Sequence, residues 1–349
     1  MGFRVDSGAV DSMAIMMGRA CDAAQLFHAH ALSAAGNVDA GLLLNTVFEA
    51  LDKYRAFAEF NLERGWHLAG ACAETLAKAA KYYRETEESA AADKDVTFPQ
   101  PVQPPRTFPM QYNPPWRAFN DVYDAAECPR EPGSEYAGTA TPTGQNGWPV
   151  TEITGAVNEI LDKISVAPHV RELVKFATGT DWIDKITQYV SGNWAELMRQ
   201  GMALRDVSVA YGRIGANVMR GWNDLGPRWC GNAAGTARDW LWEYARNASL
   251  FSGFCDQAGV AVQNFARSAY HGMQALSVAI DWLLDALIDV LLGGTHSRER
   301  LAGVFASVSK VGDALDLIEA AVHTFKGVAA FREPTMAWPV REYSHPAVS

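Results

Sequence analysis

Gly226-Pro227-Arg228-Trp229-Cys230-Gly231 interrupts two long runs of helical periodicity, and its reading decides how the second half of this 349-residue chain folds. Leu197, Leu204, Val207, Tyr211, Ile214, Val218 and Trp222 lead down to it. Ala234, Ala237, Leu241, Tyr244, Ala248, Cys255, Ala258, Val262, Phe265, Ala269 and Met273 lead away from it. Apolar residues at such steps share one helix face. Pro227 cannot extend the first helix, and Gly231 allows a tight backbone path that a residue with a Cβ resists. Two long antiparallel helices with a short tip are expected. The Trp229 indole can seal the end of that bundle or stand exposed as a docking knob.

Residues 7–90 carry the same signature. Met13, Met16, Ala20, Ala24, Phe27 and Ala31 form one stripe. Leu44, Val47, Leu51, Tyr54, Ala58, Leu62, Gly65, Ala69, Cys72, Leu76, Ala79 and Tyr83 form another. Gly36-Asn37-Val38-Asp39 supplies the break, with Gly36 as a stop and Asp39 as a cap, so a helical hairpin is predicted. Its second helix is much the longer. A hairpin turning at this break leaves the stripe from about Trp66 to Tyr83 in need of cover, because helices gain most stability by burying such a face. The segment ends in Tyr83-Arg84-Glu85-Thr86-Glu87, and an uninterrupted helix places Glu87 one turn beyond Tyr83 on the same face.

Between residues 91 and 149 the character changes. Eleven of the sixteen prolines fall there, Pro104-Pro105 and Pro114-Pro115 among them, which predicts an extended linker. Phe98, Phe108, Tyr112, Trp116, Phe119 and Tyr123 predict that part of it lies against the helices, with a short helix around Trp116 to Ala126. Residues 150–330 again read as helical, with further helices at Val157 to Phe176, Ile183 to Tyr189 and Leu301 to Lys326. Residues 331–349, with Pro334, Pro339 and Pro346, read as a loosely ordered tail. No segment alternates with the period of a strand. The expected fold is all-α: two antiparallel helical-hairpin units packed as an elongated bundle and joined by a Pro-rich linker.

Composition narrows the function. With 48% apolar and 20% charged residues the chain is globular, and a net charge of -10 without a Lys/Arg run argues against nucleic acid or an anionic membrane as a main partner. The first residues, Met1-Gly2-Phe3-Arg4-Val5-Asp6, lack the basic and apolar regions of a signal peptide. Leu276 to Leu292 has nearly the length of a membrane span. Asp281, Asp285 and Asp289 recur every fourth residue, and each carboxylate at a bilayer centre costs roughly 2.5–3.5 kcal/mol. A buried amphipathic helix with one wet stripe is expected, and a pore-forming or bilayer-binding role for residues 276–292 is the alternative function.

Cys21, Cys72, Cys128, Cys230 and Cys255 have no zinc-ligand spacing. In a hairpin turning at residues 36–40, Cys21 faces a residue near position 55, about 25 Å along the axis from Cys72 and out of disulfide reach. His28 and His30 point to different helix faces. No HExxH, GxSxG, phosphate-binding loop or dinucleotide fingerprint is present. Neither an enzyme, nor a cofactor, nor a metal site is expected.

The hairpin ending in Tyr-x-x-x-Glu, followed by a helical domain with Trp-x-Gly between antiparallel helices, resembles substrates of type VII (ESX) secretion. Gly192-Asn193-Trp194, Gly221-Trp222 and Trp229-Cys230-Gly231-Asn232-Ala233-Ala234 look like the Trp-x-Gly helical-hairpin superfamily of actinobacteria. The arrangement is similar to a PE-PPE pair fused into one chain, as in EspB-like proteins. The resemblance covers residues 7–90 and about 190–290. It implies a composite export signal formed by Tyr83, Glu87, Trp229 and Gly231 and read by an FtsK-like ATPase. It implies a secreted or surface-located, non-enzymatic protein that meets other proteins or itself, with a small Trp-x-Gly chaperone or a homo-oligomer as further partners.

Overall fold

The computed structural model describes residues 3–34, 42–100, 118–127, 150–165, 175, 181–292, 297–328, 338 and 341–348. The fold is all-α, with one two-stranded ribbon among the described residues. β1 (Arg4–Val5) pairs antiparallel with β2 (Trp229–Cys230), Val5 opposite Trp229. Such a short ribbon has no room for the alternation that announces a strand in a sequence.

α1 (Ser7–Ser33) begins at Asp6, whose carboxylate accepts the amides of Gly8 and Ala9 at 3.0 and 3.2 Å. Those are orphan donors of a first helical turn, and a side-chain acceptor satisfies them. α1 runs antiparallel to α2 (Leu42–Glu85). Asp11 pairs with Arg84 at 3.5 Å, and the Cys21 thiol lies against Gly70.

This register corrects the expected one. Cys21 sits beside residue 70 instead of residue 55, and α1 covers α2 from Ala58 to Tyr83. The overhang is the opposite end of α2, where Leu44, Val47 and Leu51 enter a second core. Periodicity reports which face of a helix is buried but not which turn of its neighbour it meets. Cys21, Cys72, Cys230 and Cys255 are free thiols, and Cys128 lies outside the described residues.

α3 (Glu88–Asp95) follows a bend at Thr86. Residues 118–127 form turns where a short helix was expected. The amide of Phe119 donates to Asp224 at 2.9 Å, and those of Val122 and Tyr123 donate to Asn217. Phe98 and Phe119 are buried while Tyr123 is exposed; Phe108, Tyr112 and Trp116 lie outside the described residues.

Among the described residues α4 (Val150–Ser165), α5 (Trp182–Val190), α6 (Trp194–Leu225), α7 (Asn232–Leu292) and α8 (Ser297–Val328) follow. The 61 residues of α7 make a helix about 90 Å long. Two apolar cores form along it. One gathers α1, the C-terminal part of α2, the tip between α6 and α7, and Trp338 and Tyr343. The other gathers the N-terminal part of α2 with α4, α5, α8 and the C-terminal part of α7. Each core therefore draws on chain from both sides of residues 91–149.

Leu276 to Leu292 is the last stretch of α7. Leu276, Leu283 and Leu287 are buried with Val311 and Ile318 of α8, and Asp281, Asp285 and Asp289 are exposed, forming the wet stripe. Among the described residues no helix is long and apolar enough to cross a membrane.

α6 and α7 approach closely because small residues face each other. A Cβ on Gly259 would lie 2.9 Å from the Gly201 carbonyl oxygen. Gly259→Ala should therefore destabilise the chain by about 1–2 kcal/mol, the overpacking cost exceeding the gain in helix propensity. Gly303→Ala, on an exposed turn of α8 with open space around it, should stabilise by about 0.5–1 kcal/mol. Urea midpoints of the two variants should move in opposite directions.

Candidate functional site

Tyr83 ends the apolar stripe of α2, and Trp229 sits at the tip between α6 and α7. The structure brings them together with ring centroids 5.9 Å apart, edge to face. Both are buried, Trp229 at 1% exposure and Tyr83 at 7%. Trp229 is thus a plug at the end of the core and not an exposed knob. Phe3 packs on the other side of Tyr83 at 6.2 Å. The ribbon of β1 and β2 brings Phe3 there.

Glu87 stands apart from this cluster. α2 stops at Glu85, and Glu87 is in extended geometry at the start of α3 and is exposed. The expected shared face with Tyr83 is lost because the bend at Thr86 resets the helix phase. Glu87 makes no side-chain cap to α3. It is a free surface carboxylate close in sequence to a buried ring.

Gly231 has φ +136, a backbone region that L side chains rarely adopt. A Cβ there would also strike the Asp95 carboxylate. Asp95 is the decisive residue that sequence reasoning missed. Its two oxygens accept the amides of Asn232 at 2.7 Å and Ala233 at 3.0 Å, and it is 4% exposed. It caps α7 from α3, and a negative charge at a helix N-terminus gains from the helix dipole as well as from the hydrogen bonds. Asn232 reciprocates by donating its side-chain amide to the carbonyls of Asp95 and Phe98, each at 3.2 Å. No local motif announces a cap that comes from so far along the chain.

The cluster is closed by a segment that was expected to be a loose tail. His345 is fully buried, stacks against Trp229 with centroids 6.0 Å apart, and bonds through Nε2 to the Tyr83 hydroxyl at 2.9 Å. Its Nδ1 accepts the amide of Ala347 at 3.2 Å. An Nδ1 that accepts requires the proton on Nε2, so the ring is neutral and Nε2–H donates to the phenol oxygen. Tyr343 and Trp338 are buried nearby. The Trp338 indole donates to Asn61 of α2 at 2.7 Å, and the Trp240 indole of α7 donates to the Arg341 carbonyl at 3.0 Å. Proline content suggested looseness, but these aromatic residues have an apolar groove to enter.

Burial governs the ionisation of the site. It raises the Tyr83 phenol well above its ordinary value; the neighbouring Trp229 indole, whose buried N–H makes no full hydrogen bond, opposes the rise. Burial lowers the His345 imidazole to about 4, against the pull of Asp95. Lys94 adds to the lowering and lies 5.5 Å over the Tyr82 ring. A buried phenol, an indole and a neutral imidazole form a packing cluster. None is activated as a nucleophile or base near neutral pH.

The other resemblance residues have structural positions too. Asn193 caps α6 through the Glu196 amide at 3.0 Å, and Trp194 stacks on Phe265 at 5.8 Å. Trp222 donates to the Arg238 carbonyl at 2.7 Å. His30 bonds to Asp206 at 3.1 Å. Among the described residues no group of three or more His, Cys, Asp or Glu side chains could hold a metal ion. No protein-family model matches the sequence, and no curated protein or solved structure matches it.

Asp95→Ala should cost about 1–3 kcal/mol, since it strands two buried amides. Gly231→Ala should cost a similar amount through its backbone and the clash with Asp95. The double variant should cost less than the sum, because alanine at position 95 removes the atoms that clash. Additive losses in urea unfolding would contradict this geometry.

His345 also predicts an acid response. Its proton affinity is lower in the folded chain, so the unfolded chain binds the proton first, and stability is whole above about pH 6.5. It should then decline as pH falls toward 4, by up to about 3 kcal/mol, with local undocking of the segment limiting the loss. The protonated ring would also lose its Ala347 bond. His345→Gln, which keeps a polar end without a titrating ring, should flatten this part of the profile in thermal unfolding from pH 7.5 to pH 4.

Proposed function

We propose that the chain is a non-catalytic substrate or delivery module of a type VII (ESX) secretion system. It is exported through a composite signal and acts outside the cytoplasm, on the cell surface or in the medium, through protein contacts or self-assembly. One observation carries this reading: Tyr83 and Trp229, drawn from the two halves of the sequence, meet in one cluster at one end of the bundle. A signal split across two helical segments is present only when both are folded together, so it reports a finished fold to whatever reads it.

Within that reading the four signal residues, together with Asp95, divide the work. Trp229 and Tyr83 lock the end of the bundle by burial. Gly231 and Asp95 set the path of the chain between them. Glu87 is the exposed charge that an FtsK-like ATPase can touch. The alternative membrane-active role gains no support, since the apolar face of residues 276–290 packs on α8.

Glu87→Ala separates recognition from folding, because this side chain is exposed and makes no cap. In an actinobacterial host with a working type VII system, its ratio of secreted to cellular protein should fall at least tenfold. Its circular dichroism and melting temperature should match those of the parent. Parental amounts of the variant in culture supernatant would end the proposal.

A further inference from the structure

The groove between α2 and α7 is an aromatic slot, and the chain fills it with its own segment. Tyr211 and Tyr244 form its floor, their hydroxyls donating to the Leu62 and Gly65 carbonyls of α2 at 3.3 and 3.1 Å. Asn61, Trp240, Tyr83 and Trp229 line its length. Trp338 lies on Tyr244 with ring centroids 5.2 Å apart, Tyr343 lies on Trp240 at 6.2 Å, and His345 reaches Trp229 and Tyr83.

The occupying segment behaves as a ligand. From Glu342 to Pro346 its residues alternate, with Tyr343 and His345 buried and Glu342, Ser344 and Pro346 exposed. That is the period of an extended strand pressing one edge into a cleft. Residues 342–345 belong to no helix or ribbon, and the hydrogen bonds to the groove come from side chains or from one carbonyl. Leaving the groove would break no helical hydrogen bond, so the segment can open below the cost of global unfolding.

Resting on the export reading above, we propose that Trp338 and residues 341–348 are a displaceable clasp over the Tyr83–Trp229 surface. The partner that gains this surface is an extended peptide segment of matching chemistry. It brings one aromatic side chain for the Tyr343 position, a second flat ring for the His345 position, and a backbone carbonyl for the Trp240 indole. A docked clasp denies that partner both Tyr83 and Trp229; a lifted one offers a preformed slot. The groups that face His345 are Tyr83, Tyr82, Asp95 and Lys94; burial outweighs the pull of Asp95 on an imidazolium, so acid conditions favour the lifted form.

The first test uses a chain ending at residue 336 and a fluorescent synthetic peptide of residues 337–349. Saturable binding is expected for the shortened chain and none for the intact chain. A peptide carrying His345→Ala should bind at least tenfold more weakly. Should the shortened chain lose its helical circular dichroism, the intact Tyr343→Ala variant takes its place, its weakened segment yielding to the parental peptide. Absence of saturable binding to a folded acceptor overturns the clasp.

The second test measures export of intact Tyr343→Ala, which should exceed the parent at least threefold. Equal or lower export of a folded variant, with the parent exported, overturns the clasp as a control on the signal. If neither is exported, the secretion reading fails while the peptide result still decides whether the groove binds the segment.

Discussion

The carboxylate of Asp95 on the first amides of α7 is the contact on which the geometry of this protein turns. α7 is the long axis of the molecule, and its N-terminus would otherwise leave buried donors without partners. Asp95 supplies the acceptors from α3, which is covalently tied to the end of α2. One ion thereby fixes the end of α2 against the start of α7. Trp229, Gly231 and Tyr83 lie around it as consequences. Gly231 is required because both its backbone angle and the nearby carboxylate exclude a side chain.

Burial then decides what the cluster can be. Phe3 and rings from α2, β2 and the segment after α8 exclude water from the site, and burial holds the Tyr83 phenol and the His345 imidazole in their neutral forms. That environment suits packing and recognition more than chemistry. Apart from the Asp95 carboxylate, which the first amides of α7 satisfy, charge is kept at the margin, where Glu87 is exposed and Lys94 covers Tyr82. The same burial makes His345 a weak point in acid, because protonation must either desolvate a charge or release the segment that carries it.

Much of the helical architecture was legible in the sequence. The stripes ending at Trp222 and starting at Ala234 correspond to α6 and α7, and the aspartates at 281, 285 and 289 mark an exposed stripe. What misled was position along a helix. Cys21 was expected near residue 55 and lies at Gly70, because a stripe of alanines and methionines fits many turns of a partner stripe equally well. The Thr86 bend and the turns at residues 118–127 were also hidden. Both depend on distant contacts, Asn217 and Asp224 holding the turns in place. Of the site, Tyr83, Trp229 and Gly231 could be named beforehand, while Asp95, Tyr343 and His345 could not. A carboxylate in a short acidic helix and two rings among prolines give no periodic or motif signal.

The sequence by itself determined that this chain is helical, where its longest helices run and which faces they bury, since those properties depend on spacing between near neighbours. Only the tertiary structure decided that Tyr83 meets Trp229, that Asp95 caps a helix far along the chain, and that residues 341–348 close the groove above them. The physical reason is that such contacts are chosen by competition. A buried ring or an unpaired amide takes whichever partner the folded backbone brings within reach, and that choice is made in space by groups that no local pattern links.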